Sequence, residues 1–251
     1  MRKILVACLL GATSAGFSLP LMNIELSVGA MNHKPSGYVE YPTGSGTRAD
    51  VEETFGLGST TELFARAKIE LPILPNLYLQ YMPMEFEGRG RYSTQLTFGD
   101  TTFNANVDLD TRVKLDRYDI GLYYNVPFAG TLDPEIGINV RILDFEGRVT
   151  GKETSTGQVV TESKSMTVPI PMLYASLGIN LPFVKVIGEA RGVTYQGNSY
   201  YDLTGEVRVS PLPFFFVGAG YRYERLKLDD VSDVTADIEI NSVFANAGVS
   251  F

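Results

Sequence analysis

The sequence predicts an all-β fold, a single closed antiparallel β-barrel of about ten strands. Three observations carry this prediction. Apolar and polar residues alternate along most of the chain, the connections between these runs alternate in length, and the last run ends on Phe251. A period of two places alternate side chains on opposite faces of a strand, so each predicted strand has one apolar and one polar face.

The alternation is clearest in "TELFARAKIEL" (61–71), "EIGINVRIL" (135–143) and "YDLTGEVRV" (201–209). In each of these runs one alternate set of residues is mainly apolar and the other mainly polar or charged. Counting every run of this kind gives ten predicted strands, at about 22–32, 61–71, 77–97, 103–126, 135–150, 163–181, 184–195, 200–210, 214–226 and 237–251.

The connections follow the strands in a regular order. After every second strand comes a short, Pro-containing connection, at 72–76, 127–134, 181–183 and 210–213. The other connections are polar and often rich in Gly, at 33–60, about 98–102, 151–162, about 195–199 and about 227–236. Outer-membrane barrels have short periplasmic turns and longer extracellular loops. We therefore expect a transmembrane barrel, with both ends of the chain on the periplasmic side.

A soluble β-sandwich would also alternate, with its apolar face turned inward. Two features favour the membrane barrel. The polar faces carry charges of nearly balanced sign, which suits a narrow interior, and many of the 14 Tyr and 14 Phe lie near strand ends, where aromatic girdles meet the membrane interfaces. The predicted girdle residues are Tyr78, Tyr81, Tyr118, Tyr123, Tyr124, Tyr174, Tyr195, Tyr200, Tyr201, Phe214, Phe215, Phe216, Tyr221 and Tyr223.

The two ends of the sequence predict export and assembly. Residues 1–18 have a short basic start, an apolar core and a run of small residues, as in a signal peptide cleaved between 15 and 18, which leaves residues 19–251 as the barrel. The last strand, "VFANAGVSF", resembles the signal that the outer-membrane assembly machinery favours, with Phe251 as its terminal aromatic. We expect the barrel-assembly machinery and periplasmic chaperones as partners during biogenesis.

Removal of that signal peptide would take away Cys8, the single cysteine, and with it disulfides, thiolate metal sites and a Cys nucleophile. It would also leave 19 basic and 29 acidic side chains. Such an acidic chain is a poor partner for nucleic acid. The expected surroundings are outer-membrane lipid and lipopolysaccharide, and no cofactor is predicted.

Several segments resemble a known family. They are "FGLGSTTELFARAKIELPILPNLYLQY", "LTFGDTTF", "RYDIGLYYNVP", "VPIPMLYASLGINLPF" and "LKLDDVSDVTADIEINSVFANAGVSF". Together they are similar to a proteobacterial family of small outer-membrane β-barrel proteins without an established activity. The resemblance implies an integral outer-membrane location and a barrel fold, and it brings no catalytic residues.

The candidate functional residues are the charged side chains on the polar faces, which we expect to line the barrel interior: Glu62, Arg66, Lys68, Arg141, Glu189, Arg191, Asp202, Glu206, Arg208 and Arg222. The opposite faces should contact lipid through Ile24, Leu26, Val28, Leu63, Ala65, Ala67, Ile69, Ile136, Ile138, Val140, Leu203, Val207, Val243, Ala247 and Val249. Eight strands already give an interior that side chains just fill, so ten strands leave only a little more room.

Two weaker chemical sites are open at this point. Asp229, Asp230 and Asp233 offer hard oxygen ligands for a divalent cation, but without the order of a calcium-binding loop. The single histidine, His33, lies near Ser36 and Glu40 in the first predicted loop, with no spacing that singles out a catalytic triad. We therefore expect no enzymatic activity.

Three functions remain open: a structural or surface-interaction barrel, a narrow channel for ions or small solutes, and a hydrolase at the rim that uses His33 or the Asp229 and Asp230 pair. The first is the preferred interpretation.

Overall fold

The computed structural model describes residues 22–45, 47–91, 95–103, 108–128, 130–152 and 156–251. The predicted signal peptide, residues 1–18, lies outside this range. The strands are β1 (Asn23–Glu40), β2 (Ala49–Asp50), β3 (Thr60–Glu70), β4 (Asn76–Met82), β5 (Glu85–Arg91), β6 (Leu96–Phe98), β7 (Thr101–Phe103), β8 (Asp108–Asn125), β9 (Leu132–Lys152), β10 (Val159–Leu181), β11 (Val184–Tyr195), β12 (Asn198–Leu212), β13 (Phe215–Val231) and β14 (Val234–Ser250). The described part of the chain contains no helix that is long and apolar enough to cross a bilayer.

The wall is a closed antiparallel barrel of ten strands, as predicted. Each wall strand pairs with its sequence neighbour, β4 and β5 together form one wall strand beside β8, and β14 pairs with β1 to close the ring. The closing ladder runs from Glu25↔Ser250 to Glu40↔Thr235. Phe251 continues it, since its amide and carbonyl exchange hydrogen bonds of 3.0 and 2.8 Å with Ile24. A closed ring leaves no long sheet edge at this seam.

Several strands are longer than the sequence predicted. The first strand was expected to end at 32, but β1 continues to Glu40, and β10 begins at Val159 rather than at 163. The prediction followed the apolar alternation, which stops where outward side chains become polar. The hydrogen-bonded ladder continues beyond that point. β9 has 21 residues, about twice the 9 to 11 that a tilted strand needs to cross a bilayer, so the wall rises well above the membrane.

The barrel is apolar outside and charged inside. Leu63, Ile138 and Leu173 are 70%, 57% and 73% exposed on the outer surface, whereas Arg141 on the inner surface is fully buried. This is the reverse of a soluble protein, and it fits a wall whose outer face contacts lipid. The β-sandwich alternative is therefore wrong, and the chain is an integral outer-membrane barrel.

The aromatic girdle is only partly as predicted. Tyr81 and Tyr118 are outward and stack with ring centroids 5.0 Å apart. Five other members of the predicted girdle point into the barrel and are buried: Tyr78, Tyr123, Tyr174, Tyr200 and Phe216. The prediction used only the distance of a residue from the end of its strand. The face that each residue occupies decides whether it meets lipid or the interior.

Inward glycines allow aromatic rings to pack against the inner wall. A Cβ atom on Gly29 would lie 2.6 Å from Cε1 of Phe64, and one on Gly220 would lie 2.5 Å from Cζ of Phe244. Phe64 and Phe244 in turn meet edge to face, with centroids 5.9 Å apart. These contacts lie on β1, β3, β13 and β14, so they brace the wall on both sides of the closing seam.

Candidate functional site

The structure places the predicted charged residues on the inner wall. Eight of them are buried: Arg66, Arg141, Glu189, Arg191, Asp202, Glu206, Arg208 and Arg222. Lys68 has a side chain that is 12% exposed, and Glu62 is half-buried at the upper end of the same strand face. The eight buried residues and Lys68 belong to two ion-paired clusters, which we call the lower and the upper cluster, with the lower one nearer the periplasm.

Glu206 is the main hydrogen-bond acceptor on one side of the lower cluster. The Nη2 atom of Arg66 donates to it at 2.9 Å and Nε of Arg208 donates at 2.6 Å. Arg208 also donates through Nη1 to Glu25 at 2.8 Å, and the side-chain amide of Asn246 donates to Glu206 at 2.9 Å. Because these groups come from β1, β3, β12 and β14, the hydrogen bonds cross the interior and not just adjacent strands.

Lys68 joins the other side of the lower cluster. Its Nζ lies 2.8 Å from a carboxylate oxygen of Glu135 and 3.7 Å from one of Glu189. Arg191 donates to Glu189 at 3.1 Å. Each buried cation therefore has an anionic partner, which is the condition under which charges are tolerated away from water.

Three buried tyrosines surround these cations. The Nζ atom of Lys68 lies 5.0 Å from the ring centroid of Tyr123, and the guanidinium of Arg191 lies 4.6 Å from that of Tyr78 and 4.9 Å from that of Tyr174. Cations over aromatic faces are attracted by the ring quadrupole. The rings therefore fill the space between the ion pairs, and they contribute to closing the lumen at this level.

The upper cluster is centred on Asp202, which is fully buried. It accepts from Nη2 of Arg141 at 2.5 Å and from Nε and Nη2 of Arg222 at 2.9 and 2.6 Å. Arg191 lies 4.0 Å away and links the two clusters. Arg141 makes a second, bidentate contact with Asp119, through Nε at 2.9 Å and Nη2 at 3.0 Å.

Glu224 completes the upper cluster. It accepts from Arg117 and, at 3.1 Å, from Arg141, and the hydroxyl of Tyr200 donates to it at 3.0 Å. Arg117 is fully buried and also contacts the sulfur atoms of Met82 and Met84 on the neighbouring wall strand, whereas Glu224 lies on β13 across the barrel. The arginines thus span the barrel at this height.

The sequence prediction missed five members of these clusters: Glu25, Arg117, Asp119, Glu135 and Glu224. Their positions carried a usable signal. Arg117 and Asp119 alternate with Tyr118 and Ile120, and Glu224 follows Arg222 at a spacing of two.

An apolar plug lies above the upper cluster. It consists of the described parts of the connection between β1 and β3 together with the β6–β7 hairpin. Phe55 and Phe98 meet at 6.0 Å between centroids, and the plug packs against inward residues of the wall, with a buried core formed by Ala49, Val51, Phe55, Leu57, Met84, Phe86, Leu96, Phe98, Phe103, Leu109, Val149 and Ile240. The extracellular end of the described barrel is thus filled by a hydrophobic core.

Backbone packing holds the plug inside the wall. The inward glycines Gly88 and Gly90 of β5 lie beside the plug, where an added Cβ atom would overlap the carbonyl oxygens of Gly56 and Thr54. Only glycine permits this approach of two backbones. The plug is therefore seated against the inner wall and does not extend away from it.

The periplasmic end is more open. A cavity of about 190 Å³ lies there, with Glu25, Lys68, Glu70, Glu135 and Arg208 among its lining residues. Glu25, Lys68, Glu135 and Arg208 also belong to the lower cluster, so this cluster forms the inner end of the cavity.

His33 lies inside the barrel and is fully buried. Its Nδ1 atom is 2.9 Å from Oγ of Ser242, whereas the sequence suggested Ser36 or Glu40 as its neighbours. The strand that carries it, β1, continues past the membrane, which turns this predicted loop residue into an inward residue beneath the plug.

The acidic residues proposed as metal ligands do not gather. Ser232 and Asp233 both have positive φ, at 55° and 65°, and form the tight turn between β13 and β14, and Asp230 has φ 56° at an irregular position before the turn. The amide of Asp229 donates to Asn198 at 2.8 Å. Among the described residues no group of three or more His, Cys, Asp or Glu side chains is arranged to hold a metal ion.

Comparisons with known proteins bear on the fold. No protein-family model matches the chain, and no curated protein sequence matches it. The structure is similar to the outer membrane protease OmpT from Escherichia coli, with a TM-score of 0.60 and 10% identity over 95% of this chain and 99% of that one. It also matches the attachment invasion locus protein Ail of Yersinia pestis, with 12% identity and a TM-score of 0.33 over 91% of this chain and 98% of that one. The first similarity supports the outer-membrane barrel fold, and the second is too weak to add to it.

Proposed function

We propose that this protein is a closed, non-enzymatic outer-membrane barrel that acts as a structural and surface-interaction protein. The observation that carries the proposal is the filled interior. Through the described residues, the two ion-paired clusters and the apolar plug occupy the barrel one above the other. With such an interior, the functional surface is the wall above the membrane.

The outer surface above the lipid-facing band supports this role. Lys34, Arg112 and Arg148 have side chains that are 66%, 57% and 54% exposed, and each lies within 3.5 Å of an acidic side chain. Such mixed rows of charge suit a layer of lipopolysaccharide, whose phosphates attract cations and whose bridging divalent ions attract carboxylates. Lipopolysaccharide is thus the proposed standing partner of the wall.

A narrow channel is the alternative, and planar-bilayer conductance separates the two. The protein, refolded in detergent and shown by its heat-modifiable migration to be a barrel, is expected to give no steps of current. The matched comparison in the same assay is a double variant, Arg141→Ala with Arg222→Ala, which removes two guanidiniums from the upper cluster and leaves the plug in place. Regular steps from the unaltered protein would overturn the closed-barrel proposal, and a change of ion selectivity on Arg208→Glu would then identify the lumen as the path.

A hydrolase function lacks support from the position of His33. The structural neighbour OmpT is a protease by name, but in this chain the single histidine is buried beneath the plug with Ser242. We expect no turnover of peptide substrates. Turnover that is lost on His33→Ala would contradict this expectation.

A further inference from the structure

The upper part of one wall strand, β10, is paired on one side only. Strand β10 pairs with β9 along its whole length, from Val159↔Lys152 to Ile179↔Leu132. On its other side, β11 pairs with it only from Leu173↔Gly192 to the periplasmic turn. Over residues 159–172 the described chain forms no backbone hydrogen bonds with β10 other than those of β9. With respect to the described residues, this segment is therefore an unpaired strand edge, which we call the β10 edge.

Two prolines identify the groups that point to this edge. The β9–β10 ladder runs without a register break through Pro169↔Ile142 and Pro171↔Val140. A proline has no N–H, so it fits such a ladder only where its nitrogen faces away from the paired strand. Residues two apart in a strand direct their backbone groups to the same side. The N–H and C=O groups that face the β10 edge are therefore those of Val159, Thr161, Ser163, Ser165 and Thr167.

The same prolines limit the edge. Pro169 and Pro171 would lie where the ladder with β11 continued upward, and neither has a hydrogen to donate to it. Below them the pairing with β11 resumes at Leu173. The usable edge thus spans the nine residues 159–167, which is long enough for one ordinary strand.

The edge lies above the membrane and is accessible. The outward side chains of Thr161, Ser163, Ser165 and Thr167 are all exposed, and across the ladder they face polar residues of β9. The inward charges of the same segment are engaged with the plug, since Lys164 lies 4.7 Å from the ring centroid of Tyr41 and a carboxylate oxygen of Glu162 accepts from Thr101 at 3.1 Å. They do not block the edge, although inward charges are one way in which proteins protect free edges.

A notch in the wall lies beside this edge. The β11–β12 turn at Gln196 and Gly197 lies closer to the membrane than the extracellular ends of the strands on either side. β11 ends at Tyr195, three residues beyond its last pair with β10 at Leu173↔Gly192, whereas β10 begins 14 residues before Leu173. Ile170, Val193 and Leu226 are partly buried apolar residues of this region and pack against the buried Met172 and Tyr200. They lie at the level where β11 ends and form the inner floor of the notch.

The far side of the notch is acidic. The amide of Asp229 donates to Asn198, next to the low turn. Asp229, Asp230 and Asp233 are all exposed, with Lys227 as the cation of residues 227–233. A segment that entered the notch would therefore meet hydrogen-bonding backbone on one side and carboxylates on the other.

We propose that the β10 edge binds an extended, basic polypeptide segment of a partner protein, which adds to the barrel wall as a strand. The proposal rests on the surface-interaction function and names the surface that performs it. Strand addition of this kind takes its affinity from main-chain hydrogen bonds and its specificity from alternate side chains. The nine-residue edge, the apolar floor and the acidic far side together define the occupant.

A second copy of this barrel fits less well. Two barrels in one bilayer have the same vertical direction, so their β10 strands would meet in parallel, with the inner face of one beside the outer face of the other. A continuous sheet needs the same face on both sides of the ladder. The hydroxyl row could also contact a saccharide, but that would not require the backbone groups of the edge.

The test uses the full barrel in detergent micelles and a labelled nine-residue peptide of alternating lysine and valine. Binding is followed by fluorescence anisotropy up to millimolar peptide. Ser163→Pro and Ser165→Pro each remove one edge N–H at positions of the same parity as Pro169, so the β9 ladder is retained. The matched controls, Ser163→Ala and Ser165→Ala, remove the hydroxyl and keep the N–H. Heat-modifiable migration verifies that each variant is folded.

Each proline is expected to weaken binding about two- to tenfold, the factor that corresponds to one net hydrogen bond, and each alanine should leave it unchanged. A peptide with N-methyl groups on alternate residues should not bind, and Asp229→Asn with Asp230→Asn should weaken binding at low salt. Three results would overturn the proposal: no binding of the unmodified peptide, equal binding of the N-methylated peptide, or equal losses of affinity in the proline and alanine variants. The last of these would indicate a hydroxyl contact, as for a saccharide.

Dimers that disappear in the Ser165→Pro variant would also overturn it, in favour of a second copy. If peptide binding fails while the barrel gives no conductance, the inference fails and the proposed function stands. Conductance from the unaltered protein would instead remove the proposed function.

Discussion

Replacing Asp202 with asparagine tests the interior ion pairs directly. Asp202 is fully buried and accepts three hydrogen bonds of 2.5 to 2.9 Å from Arg141 and Arg222, and Arg191 lies 4.0 Å away. Asparagine keeps the shape but removes the charge that these three cations share. Breaking a buried ion pair by removing one partner costs about 3 to 5 kcal/mol. Because the asparagine oxygen still accepts one hydrogen bond, we expect a loss near the lower limit, about 3 kcal/mol.

The free energy of unfolding is measured by denaturant titration of the barrel in lipid vesicles, followed by far-ultraviolet circular dichroism. The matched control is Asp237→Asn, which removes the same charge from a partly exposed pair, since Asp237 lies 2.9 Å from Arg225 above the membrane. Exposed pairs contribute little because water screens them, so the control should change stability much less. Equal effects of the two substitutions, or no loss for Asp202→Asn, would refute a tightly paired interior.

Three further predictions concern the wall and the plug. Gly220→Ala should prevent folding into a heat-modifiable barrel, because the new Cβ would lie 2.5 Å from the ring of Phe244. Gly188→Ala is the control and should fold normally, since nothing lies within 4 Å of a Cβ there. Normal folding of both variants would contradict the proposed packing of the inner wall. Ile138→Lys should destabilise the barrel in vesicles by about 2 to 4 kcal/mol, as for a cation at the middle of the lipid face, and Thr167→Lys above the membrane should not. Similar losses of stability in the two variants would show that the lipid-facing band has been assigned to the wrong residues. Phe98→Ser should speed proteolysis of the plug without producing conductance, because the ion-paired clusters lie beneath it, and currents from this variant would show that the plug alone closes the barrel.

The fold could be predicted because each membrane-spanning strand of a barrel alternates between lipid-facing apolar residues and inward polar residues. Leu203 and Val207 face lipid while Asp202 and Glu206 face the interior, and this contrast follows directly from the alternation of side chains. Outside the membrane the pattern disappears. The upper part of β1, up to Glu40, and residues 161–167 of β10 have mainly polar outward side chains. Their strand structure therefore depends on pairing with neighbours that the local sequence does not reveal.

The interior was predicted in kind but not in arrangement. Arg141 could be assigned to the inner face, but its partners Asp119, Asp202 and Glu224 come from three other strands whose relative heights depend on the register of the whole barrel. The plug could not be predicted at all, because Phe55 lies in a polar, Gly-rich connection with no periodic pattern. Its burial depends on the close approach of Gly56 to Gly88 on the inner face of β5.

Cysteine labelling along the lumen tests the filled interior most directly. In a Cys8→Ser background, single cysteines replace Ser176, which lines the periplasmic cavity, and Ser242, which is buried beside His33. A small, membrane-impermeant thiol reagent is supplied to both ends of the barrel in detergent. The account predicts rapid labelling at Ser176→Cys and none at Ser242→Cys until the protein is unfolded. Labelling at both positions at similar rates would show a continuous water path and contradict the closed barrel.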